Sequence, residues 1–144
     1  MQHIIPAGQG ESYVWSQDHI LIKTPGSLTQ GRVTIIEDSL KFGFHLARHY
    51  HKTMVEIFYI LEGEIEFKFD NETILAAANT TIIIPPFLWH EVTCAQGGKL
   101  LTIFSPGGFD QYLVEMQTLT EEQFSDESFM TALAEKYDTW NSIS

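Results

Sequence analysis

The feature that most constrains the fold is a succession of short strand-like runs between His19 and Phe104. In "EIEFKF", Ile65, Phe67 and Phe69 alternate with charged residues, which is the period of a half-buried strand. Turn residues separate the runs, at 25–27, 62–63, 70–72 and 96–98. Strands of this length with Gly, Pro, Asn and Asp between them predict an all-β antiparallel sandwich or barrel.

The pattern changes from strand to helix after the segment Pro106-Gly107-Gly108. Residues 109–116 have apolar side chains at helical spacing, and residues 129–137 have a second stripe of this kind. Thr120 and Gln123 have the spacing of a capping box. We expect two C-terminal helices packed on the sheet. The predicted organisation is one domain over residues 1–144, with the β-barrel at about 19–105 and the helical extension at about 109–140.

The charge of the chain excludes some classes of partner. Eight basic and nineteen acidic residues give a formal charge of -11, which repels nucleic acid and anionic membrane surfaces. The one cysteine, Cys94, excludes an internal disulfide framework. No secretory segment is recognisable at the start, and no apolar run approaches the about 20 residues of a membrane helix. We therefore expect a cytoplasmic protein that binds neither nucleic acid nor membranes.

Four metal-ligating side chains come from two separated stretches. In "HYHKTMVE", His49 and His51 share one face of a strand, and a turn or bulge would return Glu56 to the same cavity. His90 begins the strand that follows Pro85-Pro86. Buried polar groups are costly unless compensated, and three imidazoles with one carboxylate suit a divalent ion. The sequence predicts one divalent metal ion (Fe, Mn, Ni, Co or Zn) bound by His49, His51, Glu56 and His90.

The same residues carry a family resemblance. From Gly43 to Gly63 the chain has Gly, five residues, His, one, His, four, Glu, six, Gly, and in this it resembles the first motif of the cupins. The second cupin motif is matched in part: Pro85 and His90 are in place, whereas Asn79, Phe87 and Cys94 stand where the family has Gly, Gly and Asn. The resemblance covers about residues 33–109 and implies a jelly-roll barrel with the four residues above as metal ligands. The surroundings are similar to small single-domain cupins related to quercetin 2,3-dioxygenase.

That resemblance implies a dioxygenase-like oxidoreductase acting on a small hydroxylated or enolic compound, including flavonoid-like ones. Glu56 is the candidate catalytic base. Phe58, Ile60, Phe67 and Val92 are candidates for the pocket wall, although plain core packing would equally explain such residues. Two other classes remain open, since this fold carries many activities: a metal-dependent isomerase or lyase, and a non-catalytic module that binds a small molecule.

The sequence does not assign a definite role to four further residues. His45 has the strand parity of His49 and either lines the cavity or lies at a strand entrance. Arg32 and Arg48 would each anchor a substrate carboxylate or lie in a surface ion pair. Cys94 is expected to be a small buried thiol. Short apolar runs such as "HILIK" would leave edge strands for a second subunit, so we expect a homodimer.

Overall fold

The computed structural model describes residues 1–141, and β-strands are their main regular structure. Within these residues, ten strands precede three helices in chain order. The strands are β1 Glu11–Trp15, β2 Asp18–Thr24, β3 Thr34–Leu40, β4 Phe44–His49, β5 Val55–Glu62, β6 Ile65–Lys68, β7 Thr73–Ala76, β8 Thr81–Ile84, β9 His90–Cys94 and β10 Gly98–Ser105. The helices are α1 Phe109–Met116, α2 Glu121–Ser125 and α3 Glu127–Lys136, and one 3-10 turn spans Gly26–Leu28. None of the described helices is long and apolar enough to cross a membrane.

Two antiparallel sheets form the barrel. The larger has the order β1-β2-β3-β10-β5-β8, and the smaller has the order β4-β9-β6-β7. Strands that are distant along the chain often pair with each other, as β5 and β10 do, which is typical of a jelly roll. The predicted fold class, an all-β jelly-roll barrel with C-terminal helices, is confirmed.

The alternation of side chains fixes which residues face the interior. In β3 and β5 every second residue is buried, and the buried set continues across β10 in register. One apolar cluster lies between the two sheets and contains Phe58, Ile60, Ile65, Phe67 and Val92 among others. Burial of these side chains at about 25 cal/mol per Å² is the main force that closes the sheets on each other.

A second apolar cluster attaches the helices to the larger sheet. Tyr112, Leu113 and Met116 of α1 pack with Ile36 and Phe104 of the sheet, and α3 adds Leu133 and Ala134 to the same cluster. The Thr120–Gln123 capping box is present at the start of α2. The predicted second helix is divided at Asp126, which ends α2 and caps α3 by accepting a hydrogen bond from the Phe129 amide. The described part of the C-terminal region therefore has three helices, where two were predicted.

Two strands differ from what their sequences alone suggest. A continuous apolar run such as "TIII" suits a strand that is buried on both faces, but β8 is an edge strand whose Thr81 and Ile83 are exposed while Ile82 and Ile84 are buried. β1 lies before the expected start of the barrel and pairs with β2 as a hairpin. Its sequence, "ESYVW", is mostly exposed because β1 is the other edge of the larger sheet, so it lacks the apolar alternation of an interior strand.

Candidate metal centre

The four predicted ligands converge inside the barrel. His49 ends β4, His51 lies in the loop after it, Glu56 is in β5, and His90 begins β9. Their ligand atoms all lie within 4.8 Å of one another, and all four residues are buried. The ring centroids of His49 and His90 are 4.2 Å apart, and those of His49 and His51 are 5.0 Å apart. The geometry that the spacing predicts is therefore present.

Each imidazole is held in one orientation by the backbone. Nδ1 of His49 lies 2.8 Å from the Ala47 carbonyl oxygen, Nδ1 of His51 lies 2.8 Å from that of Asp138, and Nδ1 of His90 lies 2.9 Å from that of Leu88. A carbonyl oxygen only accepts, so each Nδ1 carries the hydrogen and donates it. In all three rings Nε2 remains for a ligand, which is the arrangement found around metal-binding histidines.

The donor set requires a cation. Nε2 of His51 and Nε2 of His90 lie 3.1 and 3.0 Å from Oε1 of Glu56. With the hydrogens on Nδ1, neutral rings direct lone pairs from Nε2 at the carboxylate, and this is repulsive unless a proton or a metal ion lies among these atoms. Three nitrogens and one carboxylate oxygen are the ligand types of zinc, iron, manganese, nickel and cobalt. The residues present therefore fit one divalent ion, of unspecified identity.

The electrostatics of the metal-free cluster follow from its burial. Burial would raise the pKa of Glu56, but its hydrogen bonds with His51 and His90 lower that pKa well below its ordinary value. Burial would also lower the pKa of His51, but the Glu56 carboxylate outweighs this effect and raises it. Burial and the neighbouring His90 lower the pKa of His49 to about 4. Without metal, a proton on His51 compensates Glu56.

The C-terminal segment holds the ligand loop in place. The Asp138 carboxylate accepts hydrogen bonds from the amides of Lys52, Thr53 and Met54 at 2.8 to 2.9 Å. Asp138 has a positive φ of 55°, and its own carbonyl accepts the His51 Nδ1 hydrogen. Tyr50 and Trp140 add a short antiparallel bridge beside this loop. The role of Asp138 could not be predicted from the sequence, since it depends on contacts 84 to 87 residues away.

The backbone conformation of two turns explains the partial second motif. Asn79 and Phe87, which stand where the family has glycine, both adopt positive φ values, of 69° and 68°. The backbone therefore keeps the left-handed conformation that glycine adopts freely. The Phe87 amide donates a 2.7 Å hydrogen bond to the His51 carbonyl, so this turn also ties His51 to the strand that carries His90.

A cavity of about 320 Å³ lies beside the cluster, between the larger sheet, β4 and α1. Glu56 is the one metal-ligand candidate that lines it, and Phe58 and Val92 form part of its wall. The other two residues predicted for the wall, Ile60 and Phe67, have no exposed surface and belong to the apolar core, so they do not line this cavity. Both side chains point into the apolar cluster between the two sheets.

Two polar residues of this cavity were missed from the sequence. Asp18 of β2 and Asp38 of β3 line it and are buried, beside Thr102 of β10. Each stands at a buried position of its alternating strand, "DHILIKT" and "TIIEDSL", where an apolar residue is the rule. That violation of the strand pattern was the available signal.

The remaining polar residues have ordinary surroundings. The pairing register of β4 shifts between Leu46 and His49, so His45 does not share the orientation of His49. The imidazole of His45 is largely exposed and bonds to Glu91 at 2.7 Å, and His45 lies at the rim of the cavity. Arg48 forms an ion pair with Asp70 and stacks over Trp89. Cys94 is a free, buried thiol, as expected. Arg32 is exposed.

Comparisons with known proteins give a family and a fold. A model of the cupin domain, Cupin_2, matches residues 31–104, just over half of the chain. No curated protein sequence matches the chain. The solved structures that resemble it include KdgF from Halomonas sp., with a TM-score of 0.67 and 14% identity over 76% of this chain and 99% of that one.

Two further structures have the same architecture. An RmlC-like cupin from Shewanella frigidimarina has a TM-score of 0.66 and 20% identity, and the match covers 77% of this chain and 96% of that one. A variant of Streptomyces Pac13 with uridine has a TM-score of 0.63 and 14% identity, covering 77% of this chain and 87% of that one. Pac13 is described as a nucleoside dehydratase. At these identities the likeness concerns the fold alone.

Proposed function

The chain belongs to the cupin family, and from that premise we propose that it is a metal-dependent enzyme, dioxygenase-like, acting on a small hydroxylated or enolic compound. The observation that carries the proposal is the position of Glu56, which belongs to the metal-ligand cluster and also lines the adjoining cavity. A substrate in the cavity would therefore lie next to the metal centre. The metal, when bound, supplies a Lewis acid that stabilises negative charge on a substrate oxygen.

The residues that line the cavity position the substrate and limit the access of water to it. The cavity volume of about 320 Å³ is at the lower end for small-molecule sites, which favours a compact substrate. Apolar side chains form most of its wall, among them Ile36, Phe44, Phe58 and Phe104. Such a wall excludes water and strengthens electrostatic interactions with Glu56. The room beside Glu56 also argues against a purely structural barrel that is filled by its own side chains.

Glu56 is the candidate base of the reaction. Its carboxylate is held ionised by the neighbouring histidines and is within reach of a ligand in the cavity. A Glu56→Gln variant has the same shape but cannot take up a proton at this site. We expect the variant to keep part of its metal and to lose turnover by at least about a hundredfold. Full turnover with metal retained would remove Glu56 as the base.

The direct test is oxygen consumption. Protein loaded with iron, manganese, nickel or cobalt would be mixed with a panel of flavonols and β-diketones while dissolved oxygen is recorded. The matched variants are His49→Ala and His45→Ala, since both histidines are in β4 but only His49 belongs to the cluster. Activity should be lost in the first and kept in the second, with elemental analysis showing the same difference in metal content. Equal metal content in both variants would refute the metal centre.

A metal-dependent lyase or isomerase is the second candidate, because the cavity holds two carboxyl groups besides Glu56. Asp18 and Asp38 line the same space, and acids of this kind protonate leaving groups without any need for oxygen. Substrate conversion under anaerobic conditions would favour this class, and oxygen uptake matched to product would favour a dioxygenase.

We also propose a homodimer. The larger sheet ends in β1 and β8, whose Val14 and Ile83 are exposed by 56% and 63%. Such edges are suited to pairing with a second copy of the chain. Light scattering coupled to gel filtration should give twice the monomer mass, and Ile83→Lys should shift it toward the monomer if β8 forms the interface. A monomer at all concentrations would contradict the proposal.

A further inference from the structure

The inner face of the larger sheet forms one wall of the cavity, in successive rows of side chains. Glu56 and Phe104 are opposite each other in one row, and Phe58 and Thr102 are opposite each other in the next, with Ile36 beside Thr102. Side chains two residues apart on one face of a strand are separated by about 7 Å. The row of Phe58 is therefore one ring length away from Glu56.

Aromatic side chains surround this space on several sides. They come from β1, β4, β5, β10 and α1, and they are Trp15, Phe44, Phe58, Phe104 and Phe109. Phe104 and Phe109 already stack on each other, with their ring centroids 4.4 Å apart. Aromatic rings attract a further ring in offset or edge-to-face contact, beyond the gain from burial of apolar surface. The wall therefore suits a flat aromatic ligand.

The wall offers no positive charge to a ligand. None of the described residues that line the cavity is a lysine or an arginine, and His45 at the rim is bonded to Glu91. Asp18 and Asp38 are buried in the wall, and no protonation state of an aspartate supplies a cation. An ionised group that is buried without a partner is costly. A negative group on the ligand would therefore be compensated only at the metal centre, beside Glu56.

The volume of the cavity limits the number of rings that it can hold. The volume is about 320 Å³, whereas an apolar cavity of about 150 Å³ is enough to bind benzene. On this scale the cavity holds one ring with its substituents. A flavonol has three rings and would need about 450 Å³.

We propose that the cavity binds a compound with one uncharged aromatic ring, whose polar group lies at the Glu56 end. Compounds with a charged group on the far side of the ring are excluded, and so are three-ring flavonols. The inference rests on the proposed function in one respect, that this cavity is the substrate site. It narrows the substrates of that function to those with a single ring.

The test begins with benzyl alcohol and the metal-free, full-length chain. The methyl groups of isoleucine, leucine and valine are labelled with ¹³C, and nuclear Overhauser effects (NOEs) from the ligand are recorded at neutral pH. We expect NOEs to Ile36, Val92 and Leu100, which line the cavity, and none to Leu75, which is exposed on β7. NOEs that are confined to surface methyl groups would overturn the inference.

Three related compounds test charge, aromaticity and size. 4-(Hydroxymethyl)benzoate adds a carboxylate at the far side of the same ring and should bind at least about tenfold more weakly than benzyl alcohol. Cyclohexylmethanol is more apolar but has no aromatic face, and it should bind about threefold more weakly. 3-Hydroxyflavone should give no NOEs to the three cavity residues. Equal binding of the carboxylate, tighter binding of cyclohexylmethanol, or a flavonol inside the cavity would each contradict the proposal.

A matched pair of variants tests the place of binding. Ile36 and Ile22 are paired across β3 and β2 and both are buried, but only Ile36 lines the cavity. Ile36→Phe fills part of the space and should weaken the binding of benzyl alcohol by about tenfold or more, whereas Ile22→Phe should leave it nearly unchanged. The same affinity in both folded variants would place the ligand elsewhere. The NOEs in the unchanged chain do not depend on the folding of either variant.

Two further outcomes separate this inference from the proposed function. Oxygen uptake by metal-loaded protein with a flavonol, but not with a β-diketone that carries one phenyl ring, would refute the inference and leave the proposed function standing. Cavity binding of benzyl alcohol by a chain that never binds metal would do the reverse.

Discussion

At the scale of single residues, His51 decides how metal binding depends on pH. Its pKa is raised by the Glu56 carboxylate despite burial, so the metal-free protein carries a proton there at slightly acidic pH. A metal ion must displace this proton in order to bind. Below the pKa of His51 the proton stabilises the metal-free cluster, and the affinity for metal is therefore lower there. His49, with a pKa of about 4, is already neutral in this range.

Metal affinity should therefore rise by about tenfold for each pH unit from roughly pH 5 to beyond the ordinary histidine pKa of about 6.5, and it should level off only once His51 is neutral. Zinc binding measured by competition with a chromogenic chelator over this range is the appropriate measurement. A slope of zero would mean that no cluster proton is displaced, and a slope near two would mean that a second histidine is also protonated.

Phe87 gives a second prediction at this scale, since it holds a positive φ in the turn before His90. A residue with a Cβ is strained in this conformation, whereas glycine is not. Phe87→Ala and Phe87→Gly both lose the stacking of the ring on Tyr50. Their difference isolates the backbone, and the alanine variant should be less stable by about 1 kcal/mol.

Chemical denaturation of the two Phe87 variants gives this difference directly. Asn79→Gly is the matched control, because Asn79 has a similar φ but asparagine tolerates it, so a small change is expected. Equal stability of Phe87→Ala and Phe87→Gly would show that the turn relaxes when the ring is removed.

The residues that could be predicted from the sequence are those whose spacing carries chemistry. His49, His51, Glu56 and His90 follow from strand parity and the motif, and they meet in the structure. Asp18 and Asp38 could not be paired in advance, because only the register of β2 against β3 brings them together. An aspartate in a strand is expected to be exposed unless the neighbouring strand and the elements packed against it are known.

At the scale of elements, the C-terminal segment after α3 completes the metal centre. Asp138 accepts three amide hydrogen bonds from the loop after His51 and also orients the His51 ring through its carbonyl. Asp138→Ala leaves those amides without their acceptor, which should lower the free energy of unfolding by about 1–3 kcal/mol. Because the loop that carries His51 is loosened, metal affinity should fall as well, by roughly tenfold or more.

The matched control for Asp138 is Asp126→Ala. Asp126 also accepts a backbone amide hydrogen, from Phe129 at the start of α3, but it is remote in sequence from the ligand loop. Both variants should melt at lower temperature, and only Asp138→Ala should bind zinc more weakly. Equal loss of affinity would assign the effect to general destabilisation.

Strands and helices could be predicted where the apolar periodicity is strong, and the predictions were wrong where this periodicity is interrupted. β6 and α1 have clear patterns and are present at the expected places. The parity of His45 with His49 does not hold in β4, because the strand is irregular between Leu46 and His49, and His45 lies at the cavity rim. The helical stripe did not reveal that Asp126 serves as the end of one helix and the cap of the next.

At the scale of the whole molecule, the metal site joins parts that are distant along the chain. β4, the loop after it, β5 and β9 supply the ligands, and the segment after α3 orients one of them. A bound ion would therefore add its binding energy to the global folding equilibrium and not to one loop. At a free metal concentration of about a thousand times the dissociation constant, this contribution is about 4 kcal/mol.

Metal-loaded protein should accordingly melt at a temperature roughly 10 °C above that of chelator-treated protein, as measured by calorimetry at neutral pH. The shift should grow with metal concentration, as mass action requires, and should be lost in His49→Ala but retained in His45→Ala. In the metal-free protein the buried imidazoles and carboxylate lack the cation that would compensate their burial, so this state is the less stable one. Melting that is the same with and without metal in the unchanged chain would mean that the four side chains do not bind the ion in the folded state, and the metal centre would have to be abandoned.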